Sequence, residues 1–482
     1  MINIRIIARI FSILLLIEGL LMLATAMVAI IYGEPESEAF LKAAGITIVC
    51  GIASFTPLRR EKRVYGNREG YIIIAGIWLI YSAFATLPWL LSKSDYSFVN
   101  AFFESMAGFT GTGATVIDSP ATLPHVFLFW RSLTQWIGGI GIIFFSLYVL
   151  PVLRDMNIQL PTTEFTGQPG EKIHPKAVDA AKRMIGIYFL LTLAEVIMLV
   201  SGKLGFFESV CISMSTLSTG GFSTHSDSLS FVTSPFLKAV ITLFMFLAAT
   251  NMAIVYYGIK RNFTKIRENS EFVFYMFLVL AFSGIIFTYL WVQGGNKTSA
   301  SALDVLFHVT SIVSTTGFYT TDFTLWGSFA VLMLFILMFA GGTNGSSAGG
   351  MKVCRLLIMT KNNRMELRRL IHPNAFIPVR LNRKIVKQAT VYNVLVFVSL
   401  YFLVVCASSL IFSLMGYDII TSVVTSASVL ANIGPGLGEF GPGNTYSSLP
   451  DSGKVFLSFL MYLGRLELMG VLILFSRSFY RK

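Results

Sequence analysis

The stretch GFTGTGATV, Gly108 to Val116, decides how this chain must be read. Three glycines and three threonines without an apolar period stand between two apolar runs, Tyr71–Leu91 and Val126–Leu150. Such a stretch is either a surface turn or irregular backbone lodged inside a membrane. The second is tolerated only where protein buries it or where it lines a water-filled cavity.

The surrounding chain is a membrane protein. Of its 482 residues, 54 % are hydrophobic and 13 % charged, a composition outside that of soluble enzymes. The runs Ile10–Ile31, Ala180–Val200, Phe236–Tyr257, Phe272–Trp291 and Val391–Met415 are near the ~20 residues a helix needs to cross a bilayer. Phe329–Phe339 is a shorter run. The N-terminal run is too long for a signal peptide and is interrupted by Glu18, so it reads as a retained first span. Cys50, Cys211, Cys354 and Cys406 show no paired spacing and predict neither disulfide nor metal site. The net charge of +12 is concentrated in Arg59–Arg63, Glu171–Arg183, Lys260–Glu268, Lys352–Lys387 and the terminal Arg481–Lys482. All fall on one side if Lys- and Arg-rich loops stay cytoplasmic. Both termini are then inside, and the basic excess reflects topology, not nucleic-acid binding. Lys361–Lys384 reads as a surface for a partner ring or for anionic lipid.

The opening stretch recurs. LSTGGFST (Leu217–Thr224), VSTTGFYTTD (Val313–Asp322) and LANIGPGLG (Leu430–Gly438) repeat its pattern. Aligned on Gly113, Gly220, Gly317 and Gly434, the spacings are 107 (113 to 220), 97 (220 to 317) and 117 (317 to 434) residues. Each copy follows a long apolar run and a short amphipathic segment: Tyr96–Phe109, Gly205–Leu217, Ala302–Val313 and Asp418–Leu430. Each precedes a second long run, about Val126–Leu153, Val232–Tyr257, Leu325–Met359 and Val455–Phe479. Two extra spans lead the chain. The expectation is an all-α polytopic fold with ten crossing helices. Four helix–pore-loop–helix repeats surround a pseudo-fourfold ion path: residues 61–160, 161–265, 266–370 and 371–482, after an N-terminal helix pair at 1–60.

Glycine lets a backbone take positive φ and aim its carbonyls at one axis. Four such loops make a ring of oxygens that replaces the hydration shell of a cation. No carboxylate lies around the four aligned glycines, which points to a monovalent ion rather than a divalent one. Ala340–Gly350, AGGTNGSSAGG, puts five glycines (Gly341, Gly342, Gly345, Gly349, Gly350) into the second run of unit three. At ~1 kcal/mol per glycine no stable helix is expected there, and the segment is placed to block the path below the ring. Arg465 lies inside the last span, where ionisable residues usually face the interior. It is expected to point into the pore as an electrostatic barrier. Glu104 and His308, each nine positions before its glycine, are expected to anchor pore helices. Asp118, Asp227 and Asp322 could give the mouth a cation-attracting field, and His225 could line it. No nucleophile with its base, His/Asp metal cluster or P-loop is apparent, so the chain does not read as an enzyme and needs no organic cofactor.

At these motifs the chain resembles the Trk/Ktr/HKT superfamily of potassium transporters, and within it the Trk-type membrane subunit. The resemblance rests on FFESMAGFTGTGATV, WRSLTQWIGGIGII, GGFSTHSDS, GGTNGSSAGGMKVCRLL, RRLIHPNA, NIGPGLG and GRLE, scattered from Phe102 to Glu467. The N-terminal helix pair is also Trk-like. The resemblance implies potassium uptake across a bacterial inner membrane, a homodimer with one pore per subunit, and a cytoplasmic nucleotide-binding gating ring. It implies filter carbonyls from Gly111, Thr112 and Gly113; Ser218, Thr219 and Gly220; Thr315, Thr316 and Gly317; Asn432, Ile433 and Gly434. Ala340–Gly350 would be the intramembrane gating loop. Many Trk subunits carry Thr where Gly111 stands, so loop one is expected to be more flexible. Sodium-favouring relatives often carry Ser at the position of Gly113, and Gly113 therefore favours potassium. The alternative is a symporter coupling potassium to sodium or protons. Such carriers often show inverted repeats, whereas these four run in one sense.

Overall fold

The computed structural model describes residues 3–58, 67–92, 96–154, 174–294, 301–372, 375 and 377–480. The basic clusters at 59–63 and 481–482 lie outside the described residues. Within them the chain is almost wholly helical. One antiparallel pair, Arg380–Leu381 with Lys384–Ile385, is the only sheet among the described residues.

The N-terminal helices Ile4–Tyr32 and Ser37–Phe55 form a tight hairpin. Small residues let them touch: a Cβ on Gly19 would stand 2.5 Å from Ile48 Cγ1, and one on Gly51 2.9 Å from Leu16 Cδ2. Close backbone approach of this kind drives helix association in lipid, where apolar burial gives no preference. The hairpin is tied to repeat one by Glu34. Its carboxylate accepts from the backbone N–H of His125 (2.6 Å) and Val126 (3.0 Å), capping the helix His125–Arg154.

Each repeat then follows one plan. The first helices are Asn67–Phe84 continued by Leu87–Leu91, His174–Ser201, Ser270–Gly294 and Gln388–Leu414. The pore helices are Phe98–Thr110, Phe206–Leu217, Ala302–Val313 and Ile419–Leu430. With 12 or 13 residues each, they span about 18–20 Å at 1.5 Å per residue, short of the ~30 Å hydrocarbon core. Side-chain caps fix three of their starts. Ser97 accepts from Asn100 N–H, Asp418 from Ile420 and Thr421 N–H, and Ser301 forms a capping box with Asp304.

The second helices depart from the expected continuous runs. Six helices are long and apolar enough to cross a membrane, and two sharply bent pairs raise the number to eight. Pro235–Ala248 meets Met252–Ile259 at 116°, and Asp451–Arg465 meets Met469–Phe475 at 104°. His125–Arg154, at 30 residues, has the length for another crossing. Repeat three has no continuous second span, only Ser328–Met338, the glycine loop, and Val353–Ile371. The sequence pointed to that break and missed the other two. The break in repeat two falls at Thr250–Asn251, where the Asn251 side chain starts a new helix by accepting from Ala253 N–H (2.8 Å). The break in repeat four falls at Glu467 and Leu468, both at positive φ (54° and 50°). Non-glycine residues in that region cost about 1–2 kcal/mol each. The ion pair of Glu467 with Arg355 (2.5 Å) helps to hold the bend.

Candidate functional site

All four pore helices end in the same way. The N–H groups of Gly111, Thr219, Thr315 and Asn432 donate to carbonyls three residues back, at 2.9–3.1 Å. Those of Thr112, Gly220, Thr316 and Ile433 donate five residues back, at 2.9–3.0 Å. This is the Schellman closure, with its left-handed residue satisfying the last carbonyls of the helix. The left-handed positions are Gly111 (φ 63°), Thr219 (54°), Thr315 (57°) and Asn432 (56°). Gly111 is thus unstrained at a position where the other repeats force a side chain. It makes the same hydrogen bonds as its counterparts.

Two residues on, the chain turns to positive φ again, at Gly113 (73°), Gly221 (81°), Gly317 (80°) and Gly434 (100°). The alignment on Gly220 was therefore one residue out in repeat two. Thr219, Gly220 and Gly221 match Gly111, Thr112 and Gly113, and Ser218 falls on the helix cap instead. The sequence could not choose between the adjacent glycines of LSTGG because each answers to a different constraint. Gly221 meets the φ requirement. Gly220 has ordinary φ but faces Gln135, whose Cδ lies 2.3 Å from where a Cβ would sit.

These glycines close a ring. A Cβ on Gly113 would stand 2.2 Å from the carbonyl oxygen of Gly220, and one on Gly221 2.0 Å from that of Thr316. One on Gly317 would stand 1.9 Å from that of Ile433, and one on Gly434 2.4 Å from that of Thr112. Each loop presses on the next, and the fourth returns to the first. No side chain larger than hydrogen fits at these contacts.

Side chains behind the ring hold it. Gln135 Nε2 donates to Gly220 O (2.7 Å), while its Oε1 accepts from Ser215 Oγ (2.6 Å) and Phe222 N–H (3.2 Å). One turn earlier, Arg131 bonds Glu104 (2.7 Å), Thr115 Oγ1 (3.2 Å) and Ser223 O (3.2 Å), linking loops one and two. Ser311 and Ser428 donate to Phe318 O and Pro435 O, both at 2.6 Å, strapping loops three and four to their own helices. Glu104 accepts from Val116 N–H (3.1 Å), and the ring of His308 reaches Thr321 O (3.0 Å). Both therefore anchor the chain beyond the glycine to its pore helix. Arg131 and Gln135 were visible only inside a family motif. Their four-residue spacing in an apolar run, which puts both on one helix face, was the signal for them.

A cavity of about 70 Å³ is bordered by Gly113, Gly221, Gly317 and Gly434. Its only permanently charged lining residue is Arg131, neutralised by Glu104. Asp118, Asp227 and Asp322 do not line it. Asp118 accepts from Thr445 and Asp322 caps a short turn at Thr324. His225 does line it and pairs with Glu208 (3.0 Å).

Ala340–Gly350 is buried against three repeats. Thr343 N–H donates to Ala249 O (2.9 Å) at the break of repeat two, and Gly345 O accepts from Met252 N–H (3.3 Å). Ser347 Oγ donates to Leu217 O (2.8 Å), at the end of pore helix two. Gly349 N–H donates to Thr315 Oγ1 (2.7 Å), and its Cα lies so near loop four that a Cβ would stand 2.4 Å from Ala431 O. Gly341 and Gly350 cross closely, a Cβ on Gly350 falling 2.7 Å from Gly341 Cα. Gly342 packs likewise against Ala348 and Ala249. Arg465 completes the arrangement. Its Nη1 donates to Ser347 O and its Nη2 to Gly138 O, both at 3.0 Å. Among the described residues no carboxylate is within salt-bridge distance of it. Its guanidinium stands 3.5 Å from the position of a Cβ on Gly111.

Four pore loops closed into a ring within a bundle of apolar helices define the class: a polytopic membrane transport protein. Among the described residues no group of His, Cys, Asp or Glu could hold a resident metal. The chain belongs to the TrkH family of cation transport proteins, whose model matches residues 36–480. It is 32 % identical over 483 residues to the Trk system potassium uptake protein TrkH of Halomonas elongata, covering 100 % of both chains. It is 31 % identical over 482 residues to the Trk system potassium uptake protein TrkG of Escherichia coli K12, covering 99 % of each. The crystal structure of the potassium transporter TrkH from Vibrio parahaemolyticus superposes with a TM-score of 0.91 at 31 % identity over the whole of both chains.

The register in loop two has a direct test. Gly220→Ala collides with the Gln135 side chain, whereas Gly221→Ala collides with the Thr316 carbonyl at a positive φ. Adding Gln135→Ala should recover stability lost in Gly220→Ala, with a coupling on the order of 1 kcal/mol in thermal unfolding. It should recover none in Gly221→Ala. The opposite pattern would restore the register with Gly220 as the counterpart of Gly113.

Proposed function

We propose that this protein takes up potassium through the four-loop ring, by a channel-like path that its relatives' names and its family membership support. The observation that carries the reading is the cyclic contact of Gly113, Gly221, Gly317 and Gly434 with the carbonyls of the next loops. Carbonyls of Gly111 and Thr112, Thr219 and Gly220, Thr315 and Thr316, and Asn432 and Ile433 are the proposed ligands. Neutral oxygens offset the dehydration of a weakly hydrated monovalent cation without trapping it. A divalent ion would find no carboxylate to compensate its charge.

Closure belongs to Ala340–Gly350 and Arg465. The loop packs against three of the four helix ends, and its backbone is bonded to the break in the span of repeat two and to the Arg465 side chain of repeat four. A buried cation next to the path repels a permeating cation; Arg465 donates to two carbonyls and lies 5.6 Å from the Trp78 ring centroid, without a carboxylate among the described residues to neutralise it. Opening requires the guanidinium and Ser347 to separate. The relatives are named as proteins of a Trk potassium uptake system, which supports a further regulatory component; a cytoplasmic nucleotide-binding ring is the proposed source of that movement. A homodimer with one pore per subunit, both termini inside, accompanies this reading.

Purified protein in liposomes tests it. A reversal potential that follows the potassium gradient alone, with little sodium current, is the expected result. Equal sodium flux contradicts the selectivity, and a potential that also shifts with a proton or sodium gradient establishes the symporter instead. Arg465→Gln should raise potassium flux several-fold in protein of unchanged oligomeric profile. Unchanged or reduced flux removes Arg465 from the gate.

A further inference from the structure

The helix Val353–Ile371 leaves the gating loop and runs along the inner face. Lys361, Arg364 and Arg368 fall on one side of it, spaced three and four residues apart. With Met365, Val379 and Arg380 they line a cavity of about 280 Å³ between this helix and the small strand pair. Lys361 Nζ donates to Arg380 O (3.0 Å), and Arg369 Nη2 donates to Ile377 O (2.7 Å). These bonds tie the segment before the span Gln388–Leu414 to the helix, so the cavity is built before any ligand arrives. Among the described residues no carboxylate is within salt-bridge distance of its four cations. Glu366 and Glu268 pair with Arg369 and Arg383 instead. Four like charges around one cavity repel each other, and an anion placed among them relieves that repulsion.

The surroundings identify the anion's source. Leu367, Leu370 and Ile371 are 64 %, 79 % and 72 % exposed and form a stripe beside the basic one. Ile385 on the strand pair is 57 % exposed. Three residues after it begins the 27-residue apolar helix Gln388–Leu414, so the cavity lies where the chain enters the membrane. A soluble anion has no use for adjacent bare aliphatic surface, whereas a lipid needs both parts.

We propose that this cavity is a site for the phosphate headgroup of an anionic phospholipid, with its acyl chains along Leu367, Leu370 and Ile371. Arg364, Arg368 and Arg380 supply planar donors suited to a phosphate, and Lys361 adds a point charge. The inference does not rest on the potassium reading, since binding is measured without ion flux.

Native mass spectrometry of the full chain, released from detergent containing phosphatidylglycerol or phosphatidylcholine, reads the site directly. The wild type should retain phosphatidylglycerol and release phosphatidylcholine. Arg364→Gln with Arg368→Gln should weaken that retention by about tenfold, and the single change Arg380→Gln should weaken it less. The single change keeps the test intact if the double variant does not fold. Excess inorganic phosphate should not displace the lipid. Full displacement by phosphate assigns the cavity to a soluble anion and overturns the lipid site. Unchanged retention in both variants, as expected if the four cations face an acidic protein, also overturns it.

Discussion

Each pore helix stops partway through a layer that offers no water to its last carbonyls. The structure meets that constraint four times with the same closure, a left-handed residue followed by an N–H reaching five residues back. Everything near the path follows from it. The closure sends the chain outward as an extended strand, and the second positive-φ residue brings each strand against its neighbour. The ring of loops is therefore a consequence of ending helices inside a membrane.

The four quarters share a backbone but not a support. Loop two is held from the preceding repeat by Gln135, loops three and four by serines of their own pore helices, and loop one by Glu104 with Arg131. Hydroxyl pairs follow a twofold pattern. Thr110 with Thr112 and Ser314 with Thr316 stand 2.8 and 2.7 Å apart, while repeats two and four put Gly220 and Ile433 at the corresponding second position. Asn432 reaches across to Thr112 (2.8 Å) and to Met461 O (3.0 Å), joining loop four to loop one and to the last span. The gating loop reads the same ends from below, through Leu217, Thr315 and Ala431. Ser347 bonds both the end of pore helix two, at Leu217 O, and the Arg465 guanidinium.

Much of this was legible in the sequence, for reasons specific to each element. The pore helices appeared within one or two residues of their bounds because a short amphipathic segment ending in glycine has one use between membrane spans. The glycine loop appeared because five glycines in eleven residues cannot remain a helix. The breaks at Thr250–Asn251 and Glu467–Leu468 stayed hidden because each is only two or three residues long inside a run that is otherwise apolar. Their causes are partners distant in sequence, Thr343 and Gly345 for one and Arg355 for the other. Loop two was misread by one residue for the same reason. Positive φ falls on Gly221, while the neighbouring Gly220 is kept bare by Gln135, 85 positions earlier. The acidic residues of the mouth were inferred from proximity in sequence; they stand behind its lining, Asp118 accepting from the lining residue Thr445.

The central claim is that carbonyls from four equivalent loops hold one cation at a time within the ring. Anomalous diffraction from crystals grown in rubidium salt measures that directly. The account predicts a rubidium peak enclosed by the carbonyls of Thr112, Gly220, Thr316 and Ile433 and their preceding residues, lost when sodium replaces rubidium. Rubidium bound elsewhere in the membrane region, with the ring empty, would contradict it.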